Sequence, residues 1–292
     1  FSNNNYVSYL LEYKTEEDAE WNSVNSMSPM IINNLMHNTK YYFRATPICD
    51  NSEYSILSQE WFFISPCQYA EIPYFQGFDD EFVTTDGVCS NTSTLPCWYN
   101  INGGSNGSYF SRRSEYTLSG AGSLFYRGSL YSGNNPVFSD WLISPVFNLT
   151  GNEQLSYSIC FLPNLSIVQP APIIDILICD VSSEDIASMS DTSRFTLVRS
   201  INHAGLGNTY QEAVAVLSEY VGPVRIAMAV RNDTGSFAID NWRVSTIPPC
   251  PPIYDFSAVA SSESSVAISY YPMNITEAGV TIAYQETGGG TP

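Results

Sequence analysis

Apolar and polar residues alternate in short runs along most of the chain, and no segment repeats at the helical period. The clearest run is residues 138–149 (FSDWLISPVFNL), and residues 237–244 (FAIDNWRV) form its counterpart about ninety residues later. Both are rich in the β-branched and aromatic residues that favour strands, and each contains an aspartate, Asp140 or Asp240, that a strand does not require. The pattern predicts a β-sandwich held between these two strands, with acidic residues gathered at one edge.

Further strand-like runs fill the middle of the chain and are separated by turn-rich segments. They cover residues 72–82, 95–99, 123–127, 154–162, 173–180, 195–200, 210–217 and 224–231. Short strands at this spacing are typical of a jelly roll or a similar sandwich. We therefore predict an all-β protein with a jelly-roll β-sandwich over residues 68–246.

Strand patterns also occur at both ends of the chain. The motif Leu-x-x-x-Thr-x-Tyr-x-Phe-Arg-Ala over residues 35–45 resembles part of a fibronectin type III repeat, with Tyr41 at the position of the tyrosine corner. After a stiff linker, IPPCPP, strand patterns resume. The resemblance implies partial immunoglobulin-like (fibronectin type III) sandwiches over residues 1–66 and 250–292. Half a sandwich cannot bury its inner face, so we expect each to pair with missing chain or another copy, or to pack poorly.

Composition and charge narrow the setting and the partners. The chain holds 20 tyrosines and 15 phenylalanines, which favour strands, and its net charge is −18. Such a surface repels phosphate backbones, so nucleic acid and anionic membranes are poor partners, whereas cations and neutral sugars fit better. The acidity could equally serve only to keep an exported protein soluble. No apolar run approaches the roughly 18–20 residues of a spanning helix.

The cysteines indicate an oxidising environment. Seven are present, without a Cys-x-x-Cys or Cys/His spacing typical of zinc, so we predict an extracellular or outer-cell-surface location. Cys89 and Cys97 lie close together in a turn-rich segment and form the predicted local disulfide. Cys160 and Cys179 lie on strands that could be neighbours, although buried free thiols fit equally well.

Four short motifs of the middle region occur in a recognisable order: GFD at 77–79, LPCW at 95–98, DWLISP at 140–145 and FAIDN at 237–241. Together they resemble the MAM-like jelly rolls of bacterial (Bacteroidetes-type) surface proteins, the group called cleaved-adhesin or choice-of-anchor J domains. Such modules commonly lie between fibronectin type III repeats, which is the arrangement predicted here. The family often has Glu at the position of Asp79.

A structural calcium ion is the predicted cofactor. Calcium takes six to eight oxygen ligands and often links loops of exported β-domains. The first and last strands of a jelly roll are neighbours, which would bring Asp79 or Asp80 near Asp240. The resemblance implies a metal-binding edge of this kind, with Asp140 as a further candidate ligand. The alternative is that Asp79 and Asp80 cap a turn and that Asp240 accepts hydrogen bonds from backbone amides.

Sugar binding is a second possible chemistry, because exposed aromatic rings stack on sugar faces while polar groups hold hydroxyls. Candidate residues cluster around polar segments: Trp98, Tyr99, Tyr109, Tyr126, Arg127 and Tyr131. Trp141 belongs to the same group by sequence. Aromatics at strand spacing are more often core residues, however, and we expect Trp98, Trp141 and Trp242 to face inward.

Catalysis is not expected. The two histidines, His37 and His203, are far apart in sequence, and the Gly-x-Ser-x-Gly match at 103–107 lacks the strand and helix that a nucleophile elbow needs. We therefore predict a non-catalytic extracellular adhesion or binding module of a large secreted or cell-surface protein, whose partner is a host or matrix protein or a glycan. One alternative is a carbohydrate-binding accessory module of a secreted glycosidase or peptidase. Another is a structural stalk or filament subunit that self-associates through the terminal domains.

Overall fold

The fold is built almost entirely from β-strands. The computed structural model describes residues 6–26, 29–49, 56–79, 95–101, 109–128, 140–162, 173–181, 192–202, 208–231, 235–271 and 281–283. Within these ranges there are only strands and one short 3-10 turn, Thr192–Arg194. The all-β class predicted from the sequence is confirmed. No helix in the described ranges has the length and apolar character needed to cross a bilayer.

The first four strands form one antiparallel sheet. They are β1 (Tyr6–Thr15), β2 (Asn22–Ser26), β3 (Lys40–Cys49) and β4 (Trp61–Ile64), in the order β2-β1-β3-β4. The Tyr41 hydroxyl accepts a hydrogen bond from the Met36 amide at 2.9 Å, the type of contact made by a tyrosine corner. One face of the sheet lines an open apolar groove of about 430 Å³.

Two antiparallel sheets face each other across the middle of the chain. Their strands are β5 (Tyr74–Gln76), β6 (Tyr99–Ile101), β7 (Tyr109–Arg113), β8 (Ser123–Arg127), β9 (Trp141–Thr150), β10 (Glu153–Phe161), β11 (Ile173–Asp180), β12 (Thr196–Asn202), β13 (Gln211–Val216), β14 (Val221–Arg231) and β15 (Phe237–Thr246). The six-stranded sheet has the order β13-β10-β15-β8-β7, with β5 beside β15, and the five-stranded sheet has the order β12-β11-β14-β9-β6. This is the predicted jelly-roll β-sandwich.

The first strand of the sandwich pairs with the last. In the β5–β15 ladder, Gln76 lies opposite Trp242, and Tyr74 lies opposite Val244. The predicted proximity of the opening and closing strands is therefore confirmed.

The core lies between the two sheets and follows the alternation of each strand. In β10, Leu155, Tyr157 and Ile159 are fully buried in it, while the residues between them point to the outer face. Trp98 and Trp242 meet at the centre with ring centroids 4.9 Å apart in an edge-to-face arrangement. Burying one large apolar side chain stabilises the fold by about 1.5–3 kcal/mol, so the sandwich derives its stability mainly from this layer.

A buried glutamate fixes the turn between β9 and β10. The Glu153 carboxylate accepts hydrogen bonds from the amides of Thr150, Gly151 and Asn152, at 3.0, 3.1 and 3.0 Å. The Thr150 hydroxyl donates to it at 2.6 Å. Four donors compensate for the burial of the charge, which explains a glutamate that is only 2% exposed.

The structure corrects one sequence-based disulfide prediction and decides between the two alternatives of the other. Cys97 is bonded to Cys67, with the Cα atoms 5.9 Å apart, so the predicted Cys89–Cys97 pair is wrong; Cys89 itself lies outside the described residues. Cys160 and Cys179 are buried thiols that are not disulfide-bonded, which is the second alternative given above. Cys160 follows the core residue Ile159 in the six-stranded sheet, and Cys179 follows the core residue Ile178 in the five-stranded sheet. Each cysteine therefore points to the outer face of its own sheet, and the two are on opposite sides of the sandwich, too far apart to form a disulfide.

The last two strands, β16 (Tyr254–Ser262) and β17 (Ser265–Tyr271), form a hairpin of their own. It contacts the open edge of the sandwich through Tyr271. The Arg199 guanidinium lies 3.4 Å from the centroid of that ring, and the Val216 amide donates to the Tyr271 hydroxyl at 3.3 Å. The hairpin thus covers the edge where β12 and β13 meet.

Candidate functional site

One aspartate that follows β5, Asp79, and one aspartate in β15, Asp240, bind the same short loop. This loop comprises residues 118–122, and we call it the clamped loop. The Asp240 Oδ2 accepts hydrogen bonds from the amides of Leu118 (2.8 Å) and Ser119 (3.0 Å). The Asp79 Oδ1 accepts from the amides of Ala121 (2.5 Å) and Gly122 (3.2 Å). The two carboxylates therefore tie the beginning and end of the sandwich to one loop.

Glycines make room for the Asp79 carboxylate. Gly120 has a φ of +66°, and a Cβ on it would lie 2.0 Å from the Asp79 Oδ1. A Cβ on Gly77 would lie 2.8 Å from the Asp79 Oδ2. Backbone and carboxylate are already in close contact here, so the longer side chain of a glutamate at position 79 would displace the loop.

Asp240 is fully buried and surrounded by amide donors. Its Oδ1 also accepts a hydrogen bond from the amide of Asn241 at 2.7 Å. Asn241 has a φ of +54°, and its Oδ1 accepts a hydrogen bond from the Ser119 hydroxyl at 2.8 Å. The alternative given above for Asp240, hydrogen bonds from backbone amides, describes these contacts.

The described carboxylates do not by themselves form a calcium site. No group of three His, Cys, Asp or Glu side chains with metal-binding geometry occurs in the described ranges. Asp140 is buried between the sheets and accepts a hydrogen bond from the Tyr126 hydroxyl at 2.9 Å, so it does not join Asp79 and Asp240. Asp80 lies outside the described residues. Calcium at this edge remains a prediction.

Most of the predicted sugar-contacting residues do not form a common surface. Trp98 and Tyr126 are core residues, 3% and 0% exposed, so they are not available for stacking. Arg127 lies half-buried at the end of β8. The Tyr109 side chain and all of Tyr131 are outside the described part of the structure. Among these predicted residues, Tyr99 is the aromatic that the structure places on an outer face.

The outer face of the five-stranded sheet carries an aromatic that was expected in the core. Because Leu142 points into the core, its neighbour Trp141 points outward, and the expectation of an inward Trp141 is wrong. Trp98 and Trp242 do face inward, as predicted. The half-buried Trp141 packs edge-to-face on Phe195, with centroids 5.5 Å apart.

Trp141 belongs to a line of outward residues that crosses all five strands, which we call the cross-strand row. The pairing registers place these residues side by side in the order Ser200, Asp175, Ala229, Trp141 and Ile101. Neighbouring strands are about 4.8 Å apart, so the Cα atoms of Asp175 and Trp141 are separated by about 10 Å. Ala229, which lies between them, is buried.

The polar end of the row is a hydrogen-bonded cluster of three side chains. The Ser200 hydroxyl donates to the Asp175 Oδ1 at 2.7 Å. Arg231 Nη2 donates to the same oxygen at 2.5 Å and to the Ser200 Oγ at 2.6 Å. The Arg231 side chain is 46% exposed and that of Asp175 is 13% exposed. Donors and acceptors are thus held in fixed positions beside an aromatic ring.

A buried arginine supports the aromatic residues next to the row. Arg225 donates to the carbonyl of Ser144 at 2.7 Å and to that of Cys97 at 3.4 Å, and its guanidinium lies 4.7 Å from the Tyr99 ring centroid. Burial lowers the pKa of Arg225. The disulfide-bonded Cys97, Arg225 and Tyr99 therefore form one rigid support at this side of the sheet.

No known protein family matches the sequence, and no curated protein matches it either. Among solved structures, the K3 cleaved adhesin domain of Lys-gingipain from Porphyromonas gingivalis aligns with a TM-score of 0.43 and 13% identity, over 60% of this chain and 99% of that one. The K1 domain of the same protein gives 0.42 and 12%, with the same coverage. A CBM22-1 xylan-binding domain from Paenibacillus barcinonensis gives 0.37 and 11%, over 62% and 97%. Likenesses this distant do not assign a function.

Proposed function

We propose that the chain is a non-catalytic adhesion or binding module, and that its partner contacts the outer face of the five-stranded sheet. The cross-strand row carries this proposal, because it places an aromatic ring and a fixed polar cluster on one face of a rigid sandwich. Binding sites commonly combine apolar contact area with a few well-placed polar groups. The proposed mechanism is display of a preformed surface.

An extracellular or cell-surface location fits the covalent structure and the charge. The Cys67–Cys97 disulfide holds the segment before β5 to the segment before β6. Disulfides of this kind persist mainly in oxidising compartments. A net charge of −18 keeps such a module soluble and away from anionic membranes.

The flanking sheets would act as spacers, as partial fibronectin type III repeats. The hydrogen bond between Met36 and Tyr41 and the four-stranded order β2-β1-β3-β4 support this assignment for the first of them. The open apolar groove on that sheet is the surface through which a stalk or filament subunit would self-associate. Electron microscopy tests that alternative: regular polymers would favour it, and dispersed particles at high concentration would oppose it.

A calcium ion at the edge near the clamped loop is also proposed, with Asp80 as the further carboxylate it would need. Asp79 and Asp240 would lie beside it. Because both carboxylates already hold the loop through its backbone amides, the calcium would add rigidity to a loop that is formed without it.

Adhesion assays on the full chain test the binding proposal. The fluorescently labelled protein is applied to epithelial cells, to immobilised matrix proteins and to bacterial cells, beside the variants Trp141→Ala and Trp21→Ala. Trp21 is a half-buried tryptophan next to the four-stranded sheet and provides the matched control. We expect the Trp141 variant to lose retention on at least one surface and the Trp21 variant to keep it. Equal retention of both variants, or no retention of the wild-type protein, would refute the proposal.

A further inference from the structure

Two surfaces outside the sandwich are both apolar and open to solvent: the groove of the four-stranded sheet and one side of the β16–β17 hairpin. We infer that these two surfaces bind each other between copies of the chain, so that the hairpin of one copy fills the groove of the next. Such a contact is head-to-tail, and it links copies into open chains.

The groove is lined by aromatic and aliphatic side chains from neighbouring strands. Tyr41 in β3 lies opposite Phe63 in β4, and their rings stack with centroids 5.8 Å apart. The charged residues of β1 and β3 lie on the other side of the sheet, where Arg44 pairs with Glu12 at 2.9 Å. The groove therefore suits an uncharged surface of another sheet.

The hairpin has a serine-rich side and an apolar side. On the serine-rich side, the Ser257 and Ser269 hydroxyls hydrogen-bond at 2.7 Å, as do those of Ser261 and Ser265 at 2.8 Å. Because side chains alternate along a strand, the residues between these serines form the apolar side: Phe256, Ala258, Ala260, Val266, Ile268 and Tyr270. None of these six side chains carries a charge that packing would have to desolvate.

The two surfaces also suit each other in shape. Ala258 pairs with Ile268 and Ala260 pairs with Val266, so the apolar side has one strand with small side chains and one with bulky ones. Sheets that pack face to face interdigitate such side chains across a layer about 10 Å thick. The alanines leave room for the rings that line the groove.

The hairpin and the groove of one chain lie at opposite edges of the sandwich. In the sheet order β12-β11-β14-β9-β6, the hairpin is held at β12, where Arg199 stacks on Tyr271. The four-stranded sheet joins at the β6 edge, because the Cys67–Cys97 disulfide links the residues after β4 to those before β6. Four strand spacings, about 19 Å, separate these two edges. The hairpin that fills a groove therefore belongs to another copy.

The association should be weak. The apolar side of the hairpin offers six residues, whereas each partner of a standard-size interface contributes about 20–30. We expect a dissociation constant of about 10 µM to 1 mM, so single copies predominate in dilute solution.

Static light scattering of the full chain, from about 1 µM to 1 mM, measures this association. We expect the mean mass to rise continuously with concentration, as open chains require. Val266→Asp places a charge on the apolar side and should weaken the association at least about tenfold. Val259→Asp is the matched control, because Val259 lies on the serine-rich side of the same hairpin, is 64% exposed against 55% for Val266, and acquires the same charge.

A second pair of variants tests the groove. Phe63 lines the groove and its neighbour Phe62 points to the other side of the sheet, so Phe63→Ser should weaken association and Phe62→Ser should not. A mixture of Val266→Asp and Phe63→Ser combines one intact groove with one intact hairpin. We expect that mixture to form a complex of one copy of each and no longer chains. Circular dichroism confirms that each variant folds, and the valine pair decides the matter if Phe63→Ser does not.

Wild-type protein that stays monomeric at about 1 mM would overturn the inference. Association that Val259→Asp weakens as much as Val266→Asp, or that a folded Phe63→Ser variant retains in full, would overturn it as well. The adhesion assays probe a different surface through Trp141, so these results leave the proposed binding function unaffected.

Discussion

Replacing Asp240 by asparagine tests how the sandwich is closed. The carboxylate is fully buried and accepts three backbone amide bonds, two from the clamped loop and one from Asn241. An asparagine can keep one oxygen toward Leu118 and Ser119, but its amino group then faces the N–H of Asn241. Removing the charge weakens two bonds, and each hydrogen bond to a charged group contributes about 1.5–3 kcal/mol where a neutral one contributes about 0.5–1.5.

The expected loss of stability follows from these values. The two weakened bonds lose about 1–1.5 kcal/mol each, and the half-buried Asn241 amide left without an acceptor costs about 1–3 kcal/mol, so we expect a loss of about 3–6 kcal/mol in the free energy of unfolding. Urea titrations followed by tryptophan fluorescence measure it, because Trp98 and Trp242 lie at the centre of the core.

The matched control is Asp18→Asn. Asp18 also accepts a backbone bond, from the Thr15 amide at 2.9 Å, but it is exposed to solvent. We expect this variant to stay within about 0.5 kcal/mol of the wild-type protein, as is usual for surface substitutions. If Asp240→Asn were as stable as Asp18→Asn, the clamped loop would not hold the sandwich closed and the reasoning would be refuted.

Three further variants and one addition test other parts of the fold. Gly120→Ala should lower the melting temperature by several degrees, because the positive φ and the contact with Asp79 both exclude a Cβ; an unchanged temperature would contradict the described loop. Glu153→Gln should cost about 2–3 kcal/mol in urea unfolding, since one of its four donors then meets an amino group; a loss under about 0.5 kcal/mol would show that the turn does not need the charge. Cys67→Ser, which removes the disulfide to Cys97, should lower the free energy of unfolding by about 3 kcal/mol. If the wild-type protein were equally stable with and without reductant, the disulfide would make no such contribution. Calcium at 1 mM should raise the melting temperature above the value measured in a chelator; identical melting temperatures would refute the predicted calcium site.

The alternation of apolar and polar residues allowed much of the fold to be predicted. It did not give the direction of Trp141, and that one error concealed the aromatic residue of the candidate site. The run 138–149 was predicted to be a strand of a sandwich, and β9 (Trp141–Thr150) confirms this over the described residues. Trp141 was expected inside because tryptophans in strands usually are, yet the adjacent Leu142 takes the inward position. Nothing in the sequence says which of two adjacent apolar residues faces the core.

Contacts between distant segments account for the rest. Asp175, Ser200 and Arg231 belong to three different strands, and only the pairing register brings them together. The Cys67–Cys97 bond likewise depends on how the chain folds back on itself. The prediction chose Cys89 as the partner of Cys97 because the two are close in sequence, and sequence distance does not show which cysteines meet in the fold. The pairing of β5 with β15 was predictable because it follows from jelly-roll topology itself.

The central claim is that the outer face of the five-stranded sheet is the binding surface. Hydrogen–deuterium exchange tests it directly. It is measured on the full chain with and without a saturating concentration of a ligand identified in the binding assays above. We expect slower exchange in β11, β12 and β14, the strands that carry Asp175, Ser200 and Arg231. Protection confined to the clamped loop or to the four-stranded sheet, with these three strands unchanged, would contradict the account.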